Sequence, residues 1–214
     1  MNIPIRVPAP KAETAQRFVL HGIGWEDYEK IVDALSEQHV RTTYDRGSLE
    51  LMSPLSIHEQ YKRAFGLLFA VLAEELDIPI KGAGSTTFRS RRAGRGLEPD
   101  ECFYLASAEK VRDWGALDLS SDPPPDLALE VEITHGVLDR LRVYAALRVP
   151  EVWRFDGEAL QAIVLAQSGR YRPAAASRSL PFLPLNEFVP LLHSYVSLGE
   201  EGKWLREEIG RAHV

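Results

Sequence analysis

Acidic residues near the ends of apolar, strand-like runs are the part of this sequence with the clearest chemical consequence. Asp100 follows Pro99, and further along the chain Glu130 and Glu132 lie in the apolar run that begins at Leu127. A carboxylate is costly to bury unless its charge is compensated, and converging carboxylates commonly bind a divalent cation. We therefore predict a Mg²⁺ or Mn²⁺ site with these three acids as ligands.

The spacing of Glu130 and Glu132 predicts that their side chains lie on the same face of a strand. Only Val131 separates Glu130 from Glu132, so on a strand the two acids point to one face and Val131 to the other. A metal held by carboxylate oxygens can make a bound water more acidic and neutralise charge on a phosphate. The predicted chemistry is metal-dependent hydrolysis, with Asp100 and Glu130 as the main ligands and Glu132 at or beside the ion.

Four arginines lie in a short glycine-containing segment directly before Asp100: Arg89, Arg91, Arg92 and Arg95. We call them the arginine segment. They form either a solvated loop or a surface that contacts the phosphates of DNA. The formal net charge of −6 argues against a broadly basic surface but does not exclude nucleic acid as a partner.

The 214 residues suit one domain, which we place at residues 23–196. Residues 1–22 are predicted to be an N-terminal tail and residues 197–214 a charged, helix-prone C-terminal tail. No apolar run is long enough to span a bilayer, and the N-terminus lacks the apolar stretch of a secretory signal. The lone Cys102 fits a reducing compartment, so we expect a cytoplasmic protein without a membrane partner.

Apolar spacing predicts an α/β domain in which helices flank a mixed central β-sheet. Helices are expected at residues 25–38, 56–76, 138–147 and 186–195. Strands are expected at residues 40–44, 48–52, 85–89, 100–105, 127–133, 152–156 and 160–165. The first helix and the hairpin formed by the first two strands precede this core.

Several motifs, in order along the chain, resemble one family. They are Gly84-Ser85-Thr86-Thr87-Phe88, Leu97-Glu98-Pro99-Asp100-Glu101-Cys102-Phe103-Tyr104, Pro125-Asp126-Leu127-Ala128-Leu129-Glu130-Val131 and Tyr144-Ala145-Ala146-Leu147-Arg148-Val149-Pro150-Glu151-Val152-Trp153. Together they resemble the Uma-two type family of restriction-endonuclease-like proteins, whose core is that of PD-(D/E)XK nucleases. The resemblance spans roughly residues 24–188 and implies a restriction-endonuclease-like fold and Mg²⁺-dependent cleavage of DNA.

The lysine of the nuclease pattern is absent from its usual place. The pattern places a lysine where this chain has Glu132, and members of the resembling family carry it four residues before the tyrosine that matches Tyr144. That position is Arg140 here. An arginine can neutralise charge on a phosphate but cannot act as a base. The other interpretation of Arg140 is an ion pair with a strand carboxylate such as Glu132.

Nucleases that resemble this chain often add an acidic residue from the helix before the central strands. His58 and Glu59 are the candidates in the predicted helix at residues 56–76. His58 continues the apolar stripe and should face the sheet, whereas Glu59 lies about 100° round the helix. Both are candidate site residues, and the alternative for His58 is a structural role.

Three functions follow from these residues. The first is an endonuclease that hydrolyses DNA phosphodiesters with Mg²⁺ or Mn²⁺, expected as a homodimer because cutting both strands calls for two centres. The second is a catalytically impaired module of the same fold that binds nucleic acid or protein, which the acidic balance and the missing lysine favour. The third is a metal-dependent hydrolase of another phosphate ester.

Overall fold

The computed structural model describes residues 15–111, 117, 119, 121–133 and 136–206. The strands are β1 Gln16–His21, β2 Arg41–Asp45, β3 Ser48–Ser53, β4 Lys81–Gly82, β5 Phe88–Ser90, β6 Arg95–Leu97, β7 Glu101–Tyr104, β8 Leu127–Val131, β9 Glu151–Phe155, β10 Leu160–Leu165 and β11 Tyr171–Pro173. The helices are α1 Trp25–Ala34, α2 Ser56–Glu75, α3 Arg140–Leu147, α4 Phe188–Leu198 and α5 Glu201–Trp204. This arrangement confirms the predicted α/β class and the restriction-endonuclease-like fold.

The strands form two sheets, although we predicted one central sheet. The first sheet is antiparallel and has the order β1-β3-β2-β6-β5. The second has the order β11-β10-β9-β8-β7-β4, and in it β8 and β9 run parallel. The predicted hairpin is formed by β2 and β3, whose turn uses positive φ at Arg46 and Gly47. This hairpin pairs with β1 and β6 in the first sheet. Local sequence patterns do not show which strands pair, so they did not predict two separate sheets.

The main core lies on one face of the second sheet. Helix α2 packs there through an apolar stripe that includes Phe65, Leu68 and Phe69, and α4 packs beside it. Phe69 stacks on Phe103 of β7 with ring centroids 3.8 Å apart. Strand β8 is buried along its whole length, as expected for a central strand covered on both faces.

Helix α3 covers the opposite side of β8 and joins the two sheets. Its buried residues Val143, Tyr144 and Leu147 pack with Cys102 and Ala128 of the second sheet. The same helix contacts β2, β5 and β6 of the first sheet. The N-terminus of α3 is therefore held where the two sheets meet, close to the ends of β7 and β8.

Two segments predicted as tails contribute to the fold. Strand β1 lies within the predicted tail at residues 1–22, yet it pairs along its length with β3. Trp204, in the predicted tail at residues 197–214, is fully buried and donates from its indole to Leu191 and Ser194. The domain therefore extends beyond the predicted boundaries of 23 and 196, while residues 1–14 and 207–214 lie outside the described residues. Both elements depend on distant partners, which local patterns do not reveal.

None of the helices in the described part of the chain combines the length and apolarity needed to cross a bilayer.

Candidate active site

A cavity of about 190 Å³ lies at the junction of the two sheets and the start of α3. We call it the junction pocket. Its charged lining residues are Arg17, Arg41, Arg140, Arg154, Glu50, Asp100, Glu130, Glu132 and Asp139. The three predicted acids therefore line the same pocket, and arginines accompany them.

Asp100 is buried directly before β7 and is held by two kinds of donor. Its Oδ2 accepts the backbone N–H of Val131 at 2.6 Å, which joins the end of β8 to the start of β7. Its Oδ1 lies 3.0 Å from a guanidinium nitrogen of Arg41. Since Val131 follows Glu130 directly, this bond brings the Asp100 carboxylate beside the second predicted acid.

Arg41 was not predicted as a site residue, although it is central to this network. It extends from β2 and is only 5 % exposed. Besides Asp100, it donates to the carbonyl of Pro99 at 2.7 Å and to Glu59 Oε1 at 2.8 Å. Burial alone would lower the pKa of Arg41, but Asp100 and Glu59 raise it. A charged residue in an otherwise β-rich run was the available signal, and its partners were not readable from spacing.

Glu130 is buried on β8 and accepts from two residues of α3. The Arg140 guanidinium donates to Glu130 Oε1 at 2.7 Å, and the Tyr144 hydroxyl donates to the same oxygen. Burial raises the pKa of Glu130 to about 7, although Arg140 opposes that shift. The sequence indicated Tyr144 only as part of a family motif. In the structure it also orients Glu130, one of the predicted metal ligands.

Arg140 spans three elements with its guanidinium. It donates to Thr43 Oγ1 of β2 at 2.6 Å, to the Glu98 carbonyl at 2.6 Å and to Glu130. Burial would lower the pKa of Arg140, but neighbouring Glu130 and Tyr144 raise it above its ordinary value. The strand carboxylate that pairs with Arg140 is therefore Glu130, whereas the predicted alternative was Glu132.

Glu132 lines the pocket but is bonded to Arg154 of β9. A fourth carboxylate, Glu50 of β3, is buried and lies 2.6 Å from Arg17 of β1. Glu50 was missed in the sequence, although it stands alone between Leu49 and Leu51 as Glu130 stands among apolar neighbours. Each of the four strand or strand-end acids of the pocket is therefore matched with an arginine.

The two candidates on α2 have different positions. The His58 ring is buried, and its Nδ1 accepts the backbone N–H of Leu55, the residue directly before the start of α2. Burial lowers the pKa of His58 against the opposing effect of Asp100. Burial raises the pKa of Glu59, but Arg41 and Lys62 outweigh it and the pKa is lowered. His58 thus caps the helix, and Glu59 reaches the pocket only through Arg41.

The arginine segment forms the β5–β6 hairpin on the first sheet. Arg89 lies 3.3 Å from Asp33, Arg91 lies 2.6 Å from Glu29, and Arg95 lies 2.8 Å from Asp45. Arg89, Arg91 and Arg92 line a surface depression beside α1 that is separate from the junction pocket. The structure therefore does not place these arginines with the acids, and their contact with DNA stays a prediction.

The side chains that line the junction pocket determine whether it could bind a metal ion. Among the described residues, no group of three or more His, Cys, Asp or Glu side chains is arranged to hold a metal ion. Mg²⁺ is nevertheless commonly bound through one or two carboxylates, with water and substrate phosphate completing its shell. Asp100 and Glu130 meet that requirement in kind. The Nε atoms of Arg41, Arg140 and Arg154 are buried and have no hydrogen-bond partner among the described residues.

Comparison with known proteins identifies the family of this chain. The profile of one family, described as "Uma2: Putative restriction endonuclease", matches residues 25–197. No curated protein matches the chain. Because the family match covers most of its length, the chain belongs to the Uma2 family, within the PD-(D/E)XK nuclease-like superfamily.

Proposed function

We propose that this protein is a metal-dependent endonuclease that hydrolyses DNA phosphodiester bonds at the junction pocket. The observation that supports the proposal is the bond from the Val131 backbone to Asp100, because it holds the Asp100 carboxylate at the residue next to Glu130, and both acids line one pocket. Membership of a family named for restriction endonucleases supports the same chemistry.

Asp100 and Glu130 would hold Mg²⁺ or Mn²⁺, with Glu132 available next to them. When bound, such an ion polarises a phosphoryl oxygen and makes a coordinated water more acidic. Both acids are buried, so their interaction with a cation is less weakened by solvent than at the surface. Each is also bonded to an arginine, with which an incoming ion must share the carboxylate.

The chain's own residues would orient the acids and balance charge on the phosphate. Arg41 and the Val131 N–H fix the Asp100 carboxylate, and Tyr144 fixes Glu130. Arg140 is always protonated, so its charge can neutralise a phosphate, but it cannot remove a proton from water. Arg140 therefore does not supply the base in this proposal, and its role is to neutralise negative charge.

Plasmid cleavage tests the proposal, and Glu101 supplies a matched control. Glu101 follows Asp100 directly, but its side chain lines a separate depression beside α2. We expect Mg²⁺-dependent nicking by the wild type, a loss of at least about 100-fold in Asp100→Asn, and little change in Glu101→Gln. Equal cleavage by wild type and Asp100→Asn, or none by the wild type in Mg²⁺ and Mn²⁺, would contradict the proposal.

A second candidate function is a catalytically impaired module of this fold that binds DNA. The matching of every strand acid in the pocket with an arginine favours it, because those acids are already neutralised. Fluorescence anisotropy separates the two candidates. DNA binding that does not respond to Mg²⁺, without cleavage by wild type or by Arg140→Lys, supports the binding module. Cleavage that appears in Arg140→Lys alone identifies the arginine as the cause of the impairment.

We also propose that the protein acts on duplex DNA as a homodimer, since two cuts need two centres. Light scattering with and without a DNA duplex measures this directly. A monomer in both conditions would exclude the dimer without excluding nicking of a single strand.

A further inference from the structure

Glu50 is a buried acid whose carboxylate accepts hydrogen bonds from three donors. It lies at the centre of β3 and is 3 % exposed. Its Oε2 accepts the backbone N–H groups of Val137 at 2.9 Å and Leu138 at 2.7 Å, while its Oε1 pairs with Arg17 at 2.6 Å. One carboxylate therefore joins β1, β3 and the segment that leads into α3.

The segment held by Glu50 determines where α3 begins. Asp139 follows Leu138 and caps the helix by accepting the Arg142 N–H, and Arg140 is the first helical residue. Gly136 lies beside the same carboxylate, and a Cβ there would be 3.5 Å from Glu50 Oε1, at van der Waals contact. The chain is thus fixed at Glu50 immediately before the helix that carries Arg140.

The guanidinium of Arg140 is bonded to Thr43, which lies opposite Glu50 on the other strand of the same hairpin. Thr43 of β2 is the cross-strand partner of Glu50, and Thr43 Oγ1 accepts from Arg140. Paired residues on antiparallel strands point to the same face. Glu50 and Thr43 therefore hold the start of α3 by its backbone and by its arginine from one site on the sheet.

We propose that Glu50 is a positioning residue of the junction pocket. It acts by anchoring residues 137 and 138, which sets Arg140 against Glu130. Glu50 itself is occupied by three donors, so its role in this proposal is to position the start of α3. The catalytic consequence rests on the proposed nuclease function, whereas the anchoring does not.

Hydrogen exchange of the Val137 and Leu138 amides tests the anchoring without any activity. We expect exchange about tenfold faster or more in Glu50→Ala, and a partial return toward the wild-type rate in Glu50→Gln, which keeps one acceptor oxygen. Glu101→Gln serves as the control with unchanged exchange at these amides. If Glu50→Ala does not fold, Glu50→Gln alone still tests the anchoring, because its Val137 and Leu138 amides should exchange faster than those of the wild type.

Two further measurements distinguish positioning from a general loss of stability. In DNA cleavage, kcat should fall about tenfold or more in Glu50→Ala with KM nearly unchanged, and Glu50→Gln should recover part of it. In denaturation, Glu50→Ala and Arg140→Ala should be non-additive because they act on one helix start. Unchanged amide exchange or additive effects would overturn the proposal. A wild type that does not cleave DNA would refute the nuclease function alone, since exchange and additivity still report on Glu50.

Discussion

Arginine–carboxylate pairs occur in two regions of this molecule, and their surroundings differ. In the junction pocket, the side chains of Arg41 and Asp100 are 5 % and 6 % exposed. In the arginine segment, those of Arg91 and Glu29 are 63 % and 34 % exposed at a similar separation. The Arg41–Asp100 pair is therefore desolvated, whereas the Arg91–Glu29 pair is largely solvated. Arg154–Glu132 of the pocket and Arg95–Asp45 of the segment lie between these two extremes.

The difference in burial decides what each pair does. Removing one partner of a buried pair leaves an uncompensated charge away from water, whereas an exposed pair is screened and loses little. The buried pairs hold the pocket acids in position, while the pairs of Arg89 and Arg91 keep these arginines close to α1. Charge that was visible in the sequence as one acidic centre beside one basic patch is thus organised as two separate regions.

The largest expected effect comes from Arg41→Ala. It leaves Asp100 buried without its guanidinium and the Pro99 carbonyl without its donor. We expect the free energy of unfolding to fall by about 3–5 kcal/mol, measured by urea denaturation. A loss below about 1 kcal/mol would mean that the pocket pairs behave like surface pairs, and the comparison between the two regions would break down.

The next effect is a pH dependence carried by Glu130. Burial raises its pKa from 4.5 to about 7, so the folded state retains a proton that the unfolded chain releases. The stability from this group is complete below about pH 4.5 and is lost as the pH rises through about 7, by at most about 3 kcal/mol.

Glu130→Gln provides the control for that pH dependence. The difference in unfolding free energy between pH 5 and pH 8 should be smaller in this variant than in the wild type. Identical pH profiles would show that Glu130 keeps an ordinary pKa beside Arg140.

A smaller effect is expected from Tyr144→Phe. The substitution removes the hydroxyl that donates to Glu130 Oε1 and changes little else in the buried ring. We expect a loss of about 2 kcal/mol in the free energy of unfolding at pH 8, where Glu130 is ionised, as is typical for a hydrogen bond to a charged group. Tyr171→Phe is the matched control, because the Tyr171 hydroxyl donates to a backbone carbonyl. An equal loss of unfolding free energy in both variants would show that the hydrogen bond to Glu130 is no stronger than one to a neutral carbonyl.

The smallest effect on stability is expected in the arginine segment. Arg91→Ala should change the free energy of unfolding by less than about 1 kcal/mol. If the segment contacts DNA, the same variant should lower the dependence of log Kd on log salt by about one. An unchanged salt dependence in Arg91→Ala and Arg92→Ala would remove the segment from the DNA-binding surface.

Local patterns identified the long elements and three of the acids of the pocket, Asp100, Glu130 and Glu132. Helix α2 and strand β10 were predicted almost to their observed ends, because each has a sustained apolar period. Asp100 and Glu130 could be selected because a carboxylate in an apolar run is unusual. The confirmed family also implied these positions.

Elements and residues that depend on distant pairing were beyond such patterns. Strand β6 has three residues, one of them Gly96, and is a strand only because β2 and β5 flank it. Arg41 and Glu50 lie in ordinary hairpin strands, and their importance follows from partners on α2, β1 and the segment before α3. Periodicity reports which face a residue takes, but it does not report what lies opposite.

Anomalous diffraction from a crystal soaked in Mn²⁺ tests the central claim most directly. We expect one peak in the junction pocket, with carboxylate oxygens of both Asp100 and Glu130 at roughly 2 Å from the ion. A crystal of Asp100→Asn should lose that peak. A wild-type pocket without density, or an ion bound elsewhere while Arg41 and Arg140 keep both acids, would contradict the account.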